Sequence, residues 1–154
     1  MRVWRVTLRS HAAPDGEGAR LYGGRWNTVG TTVIYTASSL SLAVLELLVH
    51  VDSDLLPRDL VSISAHIPDD LSMITYAIDD LPSEWNRPKG ALTLQRIGTT
   101  WATAHRSAVL QVPSVIIPQE QNYVLNPQHP EFSRITWTTP TPFALDPRLF
   151  GTPS

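Results

Sequence analysis

Three polar residues stand where their neighbours predict something else. Arg25 lies in YGGRWNTVG (22–30), a glycine-framed segment that also carries a tryptophan and an asparagine. Glu46 lies in LAVLELLVH (42–50), where nearly every neighbour is apolar. Ser114 follows a proline in VPSVIIP (112–118), at the start of an apolar run. Each residue type brings a definite chemistry. A guanidinium is a rigid fork of donors that fits phosphate oxygens two at a time. A carboxylate among apolar side chains is costly unless it is paired or solvated, and in a cleft it can stabilise developing positive charge. A serine hydroxyl can attack a carbonyl or hold another group in place. The nucleophile reading lacks the G-x-S-x-G turn that would present the hydroxyl.

Each feature also has a plainer reading. Arg25 can cap or salt-bridge a surface turn, since glycine-rich turns are common. Gly23 and Gly24 would let the backbone approach a ligand closely, and Trp26 would either stack on a flat ring or anchor the loop in the core. Glu46 shares a helical stripe with Ser39, Ala43 and His50, because the spacings are three and four. That stripe faces either a cleft or water.

These residues must be positioned by one domain. The chain has 154 residues, 42% of them hydrophobic and 17% charged, which suits a single folded unit over residues 1–154. Net charge is −2 with no basic block, so direct nucleic-acid binding is not expected. There is no cysteine, which removes disulfides and thiolate chemistry and fits a reducing, cytoplasmic setting. No run approaches the roughly 20 apolar residues of a membrane span, and MRVWRVTLRS lacks the apolar stretch of a signal peptide. The five histidines show no metal-ligand spacing, and GEGARLYGG fits neither a P-loop nor a Rossmann turn.

The elements follow from periodicity. Residues 3–8 alternate as a strand, with Trp4, Val6 and Leu8 on one face and Arg5 and Thr7 on the other. Residues 11–24 read as loop, 31–37 as a strand and 39–51 as a helix capped by Ser38 or Ser39. Residues 59–68 form another strand. Residues 91–108 carry apolar side chains at helical spacing. Residues 109–118 and 133–137 read as extended, with a loop over 119–132 between them. Strands outnumber helices and do not alternate with them. The expectation is an α+β fold with a mixed or antiparallel β core and flanking helices.

The order GEGARLYGGRWNTVGTTVIYTASSLSLAVLELLVH, then VPSVIIPQEQNYVLNPQHPEF, resembles the RES-domain family. The likeness runs from WRV near the start to DPRLF near the end. The family takes its name from an Arg, a Glu and a Ser, which match Arg25, Glu46 and Ser114. The resemblance implies a fold like that of ADP-ribosyltransferases. It implies a bacterial toxin that consumes NAD+ as substrate, with no tightly bound cofactor and no metal. The nicotinamide–ribose bond would break by hydrolysis or with inorganic phosphate as acceptor; the alternative is transfer of ADP-ribose to a protein. The implied partner is an Xre-like helix-turn-helix antitoxin, with room for a homodimer in the complex.

Under that resemblance Glu46 would stabilise the ribosyl cation and Arg25 would grip the diphosphate. Ser114 would either hydrogen-bond a ribose hydroxyl or orient Glu46. Tyr35 would lie in the pocket, its ring against nicotinamide. Arg5 would be a second phosphate contact, Trp26 would lock the loop or stack, and Asn126, in an Asn-Pro pair, is a further candidate contact.

Overall fold

The computed structural model describes residues 1–52, 54–55 and 57–151. Eight strands form one sheet: β1 (Arg2–Leu8), β2 (Ile34–Ala37), β3 (Leu60–His66), β4 (Met73–Thr75), β5 (Val109–Pro113), β6 (Gln121–Leu125), β7 (Thr136–Trp137) and β8 (Thr141–Phe143). Their order is β4-β5-β6-β2-β1-β3-β7, with β8 also paired to β3. Every pairing is antiparallel except β4 with β5. Among the described residues three α-helices accompany the sheet: α1 (Glu17–Tyr22), α2 (Leu40–Leu48) and α3 (Ala91–Thr103). The fold is α+β with a mixed sheet, as the unequal and non-alternating elements predict.

Both faces of the central strands are buried. Val3, Ile34, Ala65, Val109, Tyr123 and Leu125 share one apolar cluster. On the opposite face, Leu94 and Trp101 of α3 pack on Leu110, Val112 and Val124. Beside them Leu42 and Ala43 of α2 pack on Val6 and Ala37. Alternation along each strand sorts its residues between the two faces.

Several expected boundaries move. The extended run over 109–118 stops at Pro113, because residues 114–120 turn the chain back into β6. That second strand occupies Gln121–Leu125, inside the stretch read as loop. Its polar start, Gln121–Asn122, hides the alternation that would reveal it. The segment 11–24 contains the short helix α1, whose glycine in the first turn, Gly18, lowers its helical signal. Of residues 133–137, Ser133 and Arg134 end a 3-10 turn over Pro130–Arg134, and only Thr136–Trp137 is strand. The helix over 91–108 ends at Thr103, and α2 is nine residues long, capped by Ser39, whose hydroxyl accepts from Leu42 N–H at 3.1 Å.

Candidate active site

Glu46 reaches its place through the packing of α2. Leu42 and Ala43 are the buried residues of that helix, pressed on β1 and β2. Glu46 lies four and three positions beyond them, so it continues the buried stripe instead of leaving it. The carboxylate arrives where β5 ends and β6 begins. There Oε1 accepts from the Ser114 hydroxyl at 2.8 Å and from Asn122 Nδ2 at 2.6 Å. No described side chain donates to Oε2. The carboxylate is thus paired with donors and carries no salt bridge among the described residues. The solvated-stripe reading fails at this residue, although His50, one turn on, is exposed.

Ser114 is fully buried. Its backbone N–H donates to Glu120 carbonyl at 2.9 Å, closing the turn between β5 and β6. Its hydroxyl oxygen accepts from Ile116 N–H and Ile117 N–H, both at 3.1 Å. With two donors on the oxygen, the single hydroxyl proton goes to Glu46. Of the two roles open to Ser114, the geometry favours the orienting one: a buried hydroxyl whose proton is committed to a carboxylate has none to offer a sugar.

Arg25 is placed by a different device. Gly24 N–H donates to Asn27 carbonyl at 3.0 Å, making a tight turn with Arg25 and Trp26 at its corners. The buried Asn27 side chain ties the turn inward, its amide reaching the carbonyls of Ala19, Thr28 and Thr31 at 2.9, 3.2 and 3.0 Å. Tyr35 of β2 clamps the turn from below. Its hydroxyl donates to Asn27 Oδ1 at 2.6 Å and accepts from Trp26 N–H at 3.0 Å. Burial pushes that hydroxyl's pKa well above the ordinary tyrosine value, opposed by the bond from Trp26 and the charge of Arg25. The Arg25 guanidinium itself is exposed and has no carboxylate partner among the described residues.

Trp26 is buried against Leu94 and Trp101, so it anchors the loop and presents no ring for stacking. The glycine at 24 serves a protein contact, not a ligand: a Cβ there would lie 2.7 Å from the Tyr35 hydroxyl oxygen. Gly98 of α3 plays the matching part from the other side, where a Cβ would overlap the Trp26 carbonyl. Gln95 Nε2 adds a bond to Gly24 carbonyl at 3.0 Å. A flexible-looking segment is thereby a fixed platform for one exposed cation.

Register shows which candidates share a face. Ala37 pairs with Asn122, and Asn122 with Val112. Tyr35, two residues before Ala37, points to the same side. Arg25–Tyr35 and Glu46–Ser114–Asn122 therefore belong to one face of the sheet. Arg5 does not join them. It pairs with Ile63 and alternates with Trp4, itself paired to Ala37, so it falls on the face of Val3 and Ala65. Its Nη1 is buried without a hydrogen-bond partner, and burial lowers its pKa, with the charge of Asp15 opposing. Asn126 is also apart. It is buried, its amide donates to Ala102 carbonyl at 2.9 Å and its oxygen accepts from Gln128 N–H at 3.0 Å. These bonds occupy it in shaping the turn after β6.

Sequence reasoning missed Asn27 and Asn122, the two amides that hold the loop and the carboxylate. Asn27 stands two positions after Arg25, yet a turn asparagine has no distinguishing signal. Asn122 becomes visible only once β6 is recognised, since the alternation then sets it on the face of Val124. No group of three or more His, Asp or Glu among the described residues is arranged to hold a metal ion. No helix among them is long and apolar enough to cross a membrane.

Comparison with known proteins places the chain in a family. A model of the RES domain matches residues 2–146. A protein of Photorhabdus laumondii named Toxin Res is 41% identical over 152 residues, covering 97% of each chain. A Sphingobium protein named Prs ADP-ribosylating toxin is 38% identical over 153 residues, covering 95% of this chain and 94% of its own. Among solved structures, one described as the M. tuberculosis MbcT-MbcA toxin-antitoxin complex contains a chain with TM-score 0.72. It is 20% identical, over 97% of this chain and 86% of that one, a likeness of fold.

Proposed function

Since the chain belongs to the RES-domain family, we propose that it is the toxin of a toxin–antitoxin pair and that it degrades NAD+ by cleaving the nicotinamide–ribose bond. The observation that carries this reading is the state of Glu46: a carboxylate held through one oxygen by two donors, its other oxygen without a side-chain donor among the described residues. Breaking the bond sends its electron pair to the ring nitrogen, so nicotinamide leaves neutral and needs no strong acid. The sugar is left as an oxocarbenium-like cation. A fixed carboxylate beside it stabilises the charge as it develops, without reorganising. Water or inorganic phosphate then adds to the sugar carbon and loses a proton.

Arg25 would grip the diphosphate. An exposed guanidinium on a rigid turn, with no carboxylate partner among the described residues, keeps its fork for an anion. The half-buried ring of Tyr35 is beneath it and offers a surface for the nicotinamide, while its hydroxyl holds the turn. Arg5, on the other face, is not part of this grip.

A second reading shares the bond-breaking step and changes the acceptor to a protein side chain. The name of the Sphingobium relative favours it. Incubation of the purified protein with NAD+, with and without inorganic phosphate, separates the cases. ADP-ribose indicates hydrolysis and a phosphorylated ADP-ribose indicates phosphorolysis. NAD+ that stays intact until cell extract is added indicates protein modification. NAD+ intact under all three conditions would refute both. In cells, expression alone should arrest growth and lower NAD+, and an Xre-like antitoxin should relieve the arrest by covering the face that carries Arg25 and Glu46.

A further inference from the structure

Asn122 is an unfavourable choice for its position. It lies in the middle of the sheet between Ala37 and Val112, on the face that α2 and α3 cover with apolar side chains. Its Oδ1 is buried with no hydrogen-bond partner. An unmade buried acceptor is a net cost to folding, which an apolar side chain of similar size would avoid. Nor can the amide relieve this by turning over, because that would press Oδ1 against the Glu46 carboxylate. What the position gains is the 2.6 Å bond from Nδ2 to Glu46 Oε1. Ser114 donates to the same oxygen from the β5–β6 turn, and its own oxygen is fixed by two backbone N–H groups. Two donors from two elements meet on one oxygen, so the carboxylate can neither swing along α2 nor rotate about its terminal bond without losing one of them.

We propose that Asn122 is a positioning residue: with Ser114 it clamps Glu46 Oε1 and so aims Oε2 at the cation that forms on the sugar. This rests on the role given to Glu46 above. Asn122 reaches the substrate only through Glu46, and its loss should lower kcat and leave KM for NAD+ nearly unchanged. A misaimed catalytic group costs on the order of 10- to 100-fold in rate, and that is the fall expected for Asn122→Ala. Stability should change little or fall modestly, since the variant loses the charge-assisted bond to Glu46 while it sheds the unpaired oxygen.

Asn122→Asp gives the sharper test. Two carboxylates at this distance cannot both ionise freely. While the pair keeps one proton, the introduced carboxyl group would donate to Glu46 as the amide does. Once that proton leaves, the two repel and the clamp opens. The activity of Asn122→Asp relative to the parent should therefore fall by at least about 10-fold between about pH 5.5 and 8.5. Glu120 in the β5–β6 turn and His50 on α2 are present in both proteins, so the ratio cancels them. A side chain out of contact with Glu46 would give a pH-independent ratio. The carboxyl carbon resonance of Glu46, followed by NMR in both proteins over the same range, reads the clamp without turnover. Unchanged kcat in Asn122→Ala, a rise in KM instead, or a flat ratio for Asn122→Asp would each overturn the proposal. Should the parent consume no NAD+, the NAD+ reading falls, and the resonance alone decides the clamp: the same pH course in Asn122→Asp as in the parent overturns it, and a new step in that course upholds it.

Discussion

Replacing Glu46 by Gln removes one charge and almost nothing else. The amide oxygen can take the place of Oε1 and accept from both Ser114 and Asn122. The side chain keeps its length, and α2 keeps its buried stripe. The loss in rate is then the electrostatic part alone. Two unit charges about 4 Å apart at an effective dielectric near 20 interact by about 4 kcal/mol. That corresponds to about 1,000-fold at about 1.4 kcal/mol per decade, and the amide dipole retains some of it. A fall of about 100- to 1,000-fold is expected, the scale found when one preorganised electrostatic group is lost. Composition alone suggests that stability holds or rises, because the carboxylate has apolar neighbours. The two donors change that balance. Charge-assisted bonds of about 1.5–3 kcal/mol become neutral ones of about 0.5–1.5 kcal/mol, and the lower desolvation cost of an amide offsets part of the loss. The melting temperature should stay within about 4 °C of the parent. Nicotinamide release under single-turnover conditions, with calorimetry on the same preparation, reads both quantities. A folded Glu46→Gln protein that releases nicotinamide at the parental rate would refute the electrostatic mechanism.

Other changes separate the loop from the carboxylate. Arg25→Ala should leave the melting temperature unchanged, because the exposed guanidinium has no carboxylate partner among the described residues. It should raise KM for NAD+ by about 10- to 100-fold, the loss of a charged contact worth about 1.5–3 kcal/mol; an unchanged KM would remove Arg25 from the site. Tyr35→Phe strips both hydrogen bonds that clamp the turn, so thermal denaturation should show a loss of about 1–3 kcal/mol. Parental stability in that variant would mean the turn holds itself. Glu131 gives a pH effect away from the site. Its carboxyl is held below the usual range first by the bond from the Ser72 hydroxyl, with His129 and Arg134 assisting. A depressed folded value contributes stability above the unfolded pKa, about 4.3, and the contribution is lost as pH falls through the folded value. The melting-temperature gap between the parent and Glu131→Gln should be open at about pH 7 and close toward about pH 3; a gap constant with pH would refute the linkage.

The fold class is legible in the amino-acid sequence, because strand and helix periods are local. The alternation over 59–68 and the helical spacing within 91–108 survive in β3 and α3. The sequence also singled out Arg25, Glu46 and Ser114, since each is a polar residue in a context that does not favour one. Its boundaries failed where polar residues open a strand, as at Gln121–Asn122, or where a proline-rich run turns, as after Pro113. What each residue touches was decided by tertiary structure. Glu46 sits on the same helical stripe whether that stripe meets water or the β5–β6 turn, and only the docking of α2 on β1 and β2 selects the turn. Arg5 and Trp4 are neighbours in the chain, yet the pleat sends them to opposite faces, which separates Arg5 from the carboxylate. The hydroxyl of Ser114 could equally have met a sugar; two backbone N–H groups from its own turn, and a carboxylate 68 residues away in the chain, commit its proton elsewhere. Contacts between residues this distant leave no periodic trace, because neither partner's local conformation depends on the other until the sheet brings them within hydrogen-bond reach.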